Sequence, residues 1–137
     1  MAIRIRPVEY YYTMVEDRPG EAYRLLTSLV AAEVNLLAFN IVPVGANATQ
    51  LVLFPEHPAG LARAAERGGF AISAPQQALL IQGDDELGAL VAVHLKLYEA
   101  GVNVYASNGV NDGQGSYGYV VYVRPEGFAD AVRALGL

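Results

Sequence analysis

Two short stretches of this 137-residue chain carry an acidic side chain, a glycine and, further on, an asparagine in the same order. The first holds Asp17, Arg18, Pro19, Gly20 and Asn35; the second holds Asp85, Glu86, Leu87, Gly88 and Asn103. In each, the glycine stands ahead of an apolar run with helical spacing. A helix N-terminus offers unpaired backbone N–H groups and a positive dipole end, which suit a carboxylate. Glycine has no Cβ, so a ligand can approach the main chain closely. Asp17 or Asp85 can take an ammonium group, and Asn35 and Asn103 can each donate and accept. These types together fit a small zwitterion. A plainer reading stands beside this one: the aspartates cap helices, the glycines ease helix–strand packing, and the asparagines shape the turn before a strand. The coincidence of all three types in both stretches favours a site along this seam.

Other reactive types are sparse. With no cysteine there is no thiol nucleophile, disulfide or thiolate metal site. His57 lies in a turn between Glu56 and Pro58, and His94 occupies a helix position, where a satisfied core or interface histidine is expected. The two are far apart and belong to no His-carboxylate motif, so no metal or cofactor is expected. The tyrosines at 10–12 and at 117, 119 and 122 read as strand residues. Asn40 and Asn108 fall mid-strand, on the parity of Leu36 and Val104. They could line a cavity or make a structural pair.

The elements that must position these residues come in two copies. Shifting the sequence by 68 places Pro7 on Pro75, Asp17 on Asp85, Gly20 on Gly88 and Leu29 on Leu97. Val34-Asn35 falls on Val102-Asn103, and Asn40, Val42 and Gly45 on Asn108, Val110 and Gly113. Later the offset becomes 67, so that Pro58, Gly60 and Ala62 meet Pro125, Gly127 and Ala129. Within a copy, residues 9–16 read as a strand rich in aromatic and β-branched types, matched by 77–82. Leu25, Leu26 and Leu29, and Leu90, Val93 and Leu97, have helical spacing. Asp17 and Asp85 sit where an N-cap belongs, and Pro19 fits the first turn. A strand from Asn35 to about Val44 should place Leu36, Ala38 and Asn40 on one face and Leu37, Phe39 and Ile41 on the other. Turns at 45–48 and 111–115 lead to strands at 49–55 and 117–124, and second helices follow.

The pattern predicts the α+β class: two ferredoxin-like βαββαβ modules in pseudo-twofold tandem, with antiparallel sheets and helices on one face. Residues 1–68 form the first module, its fourth strand supplied by 70–74. Residues 69–137 form the second, its fourth strand supplied by 2–6 of this chain or of a neighbour.

Val15-Glu16-Asp17-Arg18-Pro19-Gly20, a helix, then Val34-Asn35-Leu36 resembles the ACT domain. That family opens with a strand, an acidic or amide residue, Arg-Pro-Gly, a helix and Gly-Val-Asn-Ile. Asp84-Asp85-Glu86-Leu87-Gly88 with Gly101-Val102-Asn103-Val104 resembles it more loosely, Glu86-Leu87 standing for Arg-Pro. Glu33 replaces the usual glycine in the first copy. ACT domains usually regulate enzymes of amino-acid metabolism and bind an amino acid where two modules meet. The resemblance therefore implies a tandem, stand-alone amino-acid sensor without catalytic activity, or a subunit acting on a partner enzyme. It implies ligand contacts at Asp17, Arg18, Pro19, Gly20 and Asn35, and at Asp85, Glu86, Leu87, Gly88 and Asn103. In the serine-sensing ACT domains of phosphoglycerate dehydrogenase, the positions matching Asp17 and Asn35 touch the ligand.

Composition agrees with a binding role. An apolar fraction of 53% supports a packed core, and the net charge of −5 argues against nucleic acid as a partner. No apolar run is long enough to span a membrane, and no targeting segment is visible, so a cytoplasmic location is expected. Exposed sheet edges make a homodimer the expected assembly. The competing functions are a ligand-free module that docks on a partner enzyme, and a small metalloenzyme of the vicinal-oxygen-chelate type. The latter needs clustered His and Glu ligands that the sequence does not show.

Overall fold

The computed structural model describes residues 3–84 and 88–137. Along them run β1 (Ile3–Glu16), α1 (Glu21–Ala31), β2 (Leu36–Val44), β3 (Ala48–Pro55) and α2 (Pro58–Gly68). The same order then recurs as β4 (Gln76–Asp84), α3 (Ala89–Glu99), β5 (Val104–Asn111), β6 (Ser116–Val123) and α4 (Pro125–Ala134). The chain divides into two compact units. One is Glu9–Gln76; the other is Gln77–Leu137 together with the chain's start up to Val8. No helix among the described residues is long and apolar enough to cross a membrane.

In the unit Glu9–Gln76, β3 lies between β2 and β1 and is antiparallel to both. In the other unit, β6 lies between β4 and β5, again antiparallel to both. The registers repeat as well as the elements. Tyr11 faces Leu53 and Leu79 faces Val121, so both partners move by 68 (79 − 11 and 121 − 53). Strand β1 is continuous through Pro7, which is exposed and so loses little by lacking an N–H. Its residues 3–8 belong with the later half of the chain, where Ile5 packs against the core of Leu79 and Ile81. Residues 70–75 form no strand ladder. Ser73 N donates to Tyr12 O at 2.9 Å, and Tyr12 N donates to the Ser73 hydroxyl at 3.0 Å, a side-chain oxygen serving where a carbonyl would in a strand.

The strands of each unit are covered by two helices. Leu25 and Leu29 of α1 and Leu61 and Ala64 of α2 bury themselves on Leu51 and Leu53. Val93 and Leu97 of α3 and Phe128 and Ala131 of α4 do the same on Ile81 and Val121. Each large apolar side chain so buried contributes roughly 1.5–3 kcal/mol. Pro58 and Pro125 open α2 and α4, where a missing N–H costs nothing.

The strand expected at 70–74 is absent, and three further details refine or correct the sequence reading. The N-cap of α1 is Gly20 at φ +90°, with no side-chain cap, and Pro19 precedes it; α3 is likewise capped by Gly88 at φ +76°. Asp17 lies earlier in the turn, where its N–H donates to Asn47 O at 2.9 Å. A left-handed cap selects glycine, and its lack of a side chain leaves the first helical N–H groups uncapped. Asp85, which was expected to cap α3, lies outside the described residues.

The second difference is a bulge. The β2–β3 register slips between Leu36 and Ala38, and the β5–β6 register slips between Val104 and Ala106. An extra residue inverts the alternation, so Leu36 and Phe39 both pack on the helix-side core. Asn40 and Asn108 therefore lie on the face opposite Leu36 and Val104. The third is Glu33, a non-glycine residue at φ +57°, in the place where the other unit has Gly101 at φ +73°. Both turns close with the same bond, Val34 N to Leu29 O and Val102 N to Leu97 O, each 2.9 Å.

Candidate functional site

The corner that joins β1 to α1 is fully exposed from Glu16 to Gly20. Its arginine is engaged by its own neighbours. Arg18 Nε donates to Glu21 Oε1 at 2.7 Å, and a terminal nitrogen lies 2.9 Å from Glu16 Oε2. Glu21 also holds Arg24 at 3.3 Å. The Glu21 hydrogen bond, followed by the charges of Glu16 and Glu21, raises the Arg18 pKa, so the guanidinium stays charged. Asn35 stands at the other end of α1, where Nδ2 donates to Glu56 Oε2 at 3.3 Å. Within this unit Asp17 and Asn35 are thus separated by an 11-residue helix, about 16 Å long at 1.5 Å per residue. Gly88 and exposed Asn103 are separated in the same way by α3. Asp85, Glu86 and Leu87 lie outside the described residues.

Gly88 does adjoin a cavity. The start of α3 (Gly88–Val91), the end of β5 (Gly109–Asn111) and the facing stretch of β6 (Tyr117–Tyr119) line an open pocket of about 490 Å³. That volume lies within the range of small-molecule sites, about 300–1,000 Å³. Leu90, Val91, Val110 and the two tyrosines are among its lining residues, as is the N-terminus of α3, whose N-cap Gly88 has no side chain. Asn111 is held at the turn, its Oδ1 accepting from Gly113 N.

One wall is fixed by a chain of hydrogen bonds. Tyr119, 8% exposed, donates its hydroxyl proton to Ser107 Oγ at 3.0 Å. His94 Nε2 is 2.8 Å from the same hydroxyl, and the two rings lie 5.8 Å apart. With the phenol proton committed to Ser107, an Nε2–H tautomer of His94 satisfies the remaining bond. The Tyr119 ring crosses the β5 backbone at Gly109. A Cβ on Gly109 would stand 2.8 Å from the ring's Cδ1 and 3.2 Å from Gly118 O, so only glycine leaves the ring in place.

The positions 68 residues earlier are apolar. His94, Ser107, Gly109 and Tyr119 correspond to Leu26, Phe39, Ile41 and Leu51. Tyr119 faces Gly109 across the ladder as Leu51 faces Ile41. Leu51 is fully buried, and Leu26 and Phe39 pack against its cluster. The sequence reading took Tyr117 and Tyr119 as strand residues and His94 as a satisfied core or interface histidine; His94 is bonded to Tyr119 but lies exposed on α3 rather than in the core. The signal that marks them is this set of mismatches in an otherwise regular repeat.

No family model matches the chain, and no curated protein matches it. Solved structures do. Protein BT0572 from Bacteroides thetaiotaomicron superposes with a TM-score of 0.81 at 17% identity, over 96% of this chain and 88% of that one. The regulatory subunit of aspartate kinase from Thermus thermophilus superposes with a TM-score of 0.65 at 13% identity, over 98% and 94%. The same subunit from Thermus flavus gives 0.61 at 9% identity, over 99% and 95%. At these identities the likeness is one of fold.

Proposed function

We propose that the protein is a non-catalytic regulator that binds a free amino acid in the pocket between α3, β5 and β6. The observation that carries this reading is the pocket itself: a small-molecule volume, largely apolar walls and a helix N-terminus headed by glycine at one end. The helix end suits a carboxylate and the walls suit a side chain. The fold shared with regulatory subunits of aspartate kinase supports a regulatory role acting on a partner enzyme. The β1–α1 corner is a weaker candidate, because Arg18 is already paired and Asn35 stands a helix-length away. Exposed Ile41, Val42 and Val44 on β2 support a homodimer formed along that edge strand.

A thermal-shift screen with the common amino acids tests the reading. A ligand at 100 times its Kd stabilises by about 2.7 kcal/mol, roughly 5–10 °C in Tm for a chain of this length. A flat response to every amino acid rejects it.

The ligand-free docking module remains as a second reading because α3 exposes Val91, Leu95 and Tyr98 at helical spacing. A flat screen together with a stoichiometric complex with a purified candidate enzyme, lost in Leu95→Glu, establishes that alternative.

A further inference from the structure

The Gly88 pocket differs from the matching place in the Glu9–Gln76 unit in a way that bears on which ligand it takes. The four replacements are coordinated. Removing Ile41 in favour of Gly109 frees the β5 surface. A tyrosine in the place of Leu51 then lays its ring over that surface. Ser107 and His94, in the places of Phe39 and Leu26, hold the ring by its hydroxyl from the sheet and from the helix. A tyrosine buried to this extent with both partners supplied is a rigid aromatic wall. Facing the same space, Val91 and Val110 are largely exposed, though both are apolar. A bound apolar group would cover them.

We propose that this pocket selects amino acids with apolar side chains, and that Tyr119 is its specificity-determining residue, positioned by His94 and Ser107. The proposal rests on the reading of the pocket as an amino-acid site. The ligand's side chain lies against the Tyr119 ring between Val91 and Val110, and the fixed ring sets how large a side chain fits. Each methylene buried there is worth roughly fourfold in affinity.

The test measures dissociation constants by calorimetry for leucine, isoleucine, valine, methionine and phenylalanine, against serine, threonine, aspartate and lysine. At least one apolar amino acid binds tenfold or more tightly than any polar one. Val110→Ala and Val91→Ala, both at exposed positions, weaken that ligand about three- to tenfold with Tm in the absence of ligand unchanged. Ser107→Ala narrows the affinity ratio between small and large apolar ligands at least threefold, and Ser107→Thr, which keeps the hydroxyl, restores it. Tight binding of a polar amino acid with no apolar ligand overturns this proposal and leaves the amino-acid reading standing. So does apolar binding that both valine variants leave unchanged, or a ratio that Ser107→Ala does not move. Absence of binding by all nine overturns this proposal, and the wider screen then decides the amino-acid reading itself.

Discussion

The units Glu9–Gln76 and Gln77–Leu137 use the same strands, helices and registers, yet one helix-facing patch is built from opposite materials. In the first, Leu26 and Phe39 pack against buried Leu51, and Ile41 lies half-exposed opposite it. In the second, His94, Ser107, Gly109 and Tyr119 replace them with a hydrogen-bonded chain beside a pocket. The backbone frame tolerates both because its stability is lodged elsewhere. Leu29, Leu53 and Leu61 in one unit, and Ile81, Leu97 and Val121 in the other, are buried at matching depth. A repeated fold can thus pack one copy of a patch with apolar side chains and give the other a hydrogen-bonded chain beside a pocket.

Moving one residue across the comparison should have the largest effect. Leu51→Tyr places a phenol where Leu26 and Phe39 offer no partner. Overpacking and an unsatisfied hydroxyl together should cost about 2–5 kcal/mol, read as a lower urea midpoint with an unchanged m-value. Gly109→Ala should cost about 1–3 kcal/mol, because its Cβ would strike the Tyr119 ring. Gly118→Ala, with nothing within 4 Å, should stay within about 0.5 kcal/mol of the parent. Equal losses at the two glycines would mean that the ring is not pinned. Glu33→Gly should stabilise by about 1 kcal/mol, since it relieves a left-handed non-glycine residue and makes the two helix ends alike. Gly101→Ala should destabilise by a similar amount in the same melt. Smallest are Asp17→Ala and Asn35→Ala, both exposed. Each should change stability by under about 0.5 kcal/mol and leave ligand affinity unaltered. If either abolishes binding, the site lies at the β1–α1 corner and the contrast between the two patches concerns packing alone.

Element order was legible in the sequence because the repeat supplied two independent readings of every helix and strand. Leu25 and Leu29 mark α1 as Val93 and Leu97 mark α3. The bulges escaped because Leu36 to Ile41 alternates plausibly as a flat strand, and only the paired register shows that one residue is skipped. The caps escaped because aspartate is the commoner cap, while Gly20 and Gly88 act through a left-handed backbone that carries no side-chain signature. Gly88 was read as a place where a ligand could come near the main chain, and it is one of the residues that line the pocket. The rest of the pocket was hidden by attention to matches. Identity at an offset of 68 locates the frame, whereas Tyr119, His94, Ser107 and Gly109 are defined by departing from it.

Strand β1 has a consequence for how the molecule comes into being. Residues 3–8 precede the stretch Glu9–Gln76 in the chain but have their packing partners among residues that follow it. The stretch Glu9–Gln76 is contiguous and can condense as soon as it is released, with the opening segment left idle until the later half arrives. That long-range closure should be the slow step of assembly. A protease nick between Val8 and Glu9 should therefore harm the unit Gln77–Leu137, on the far side of the intervening stretch.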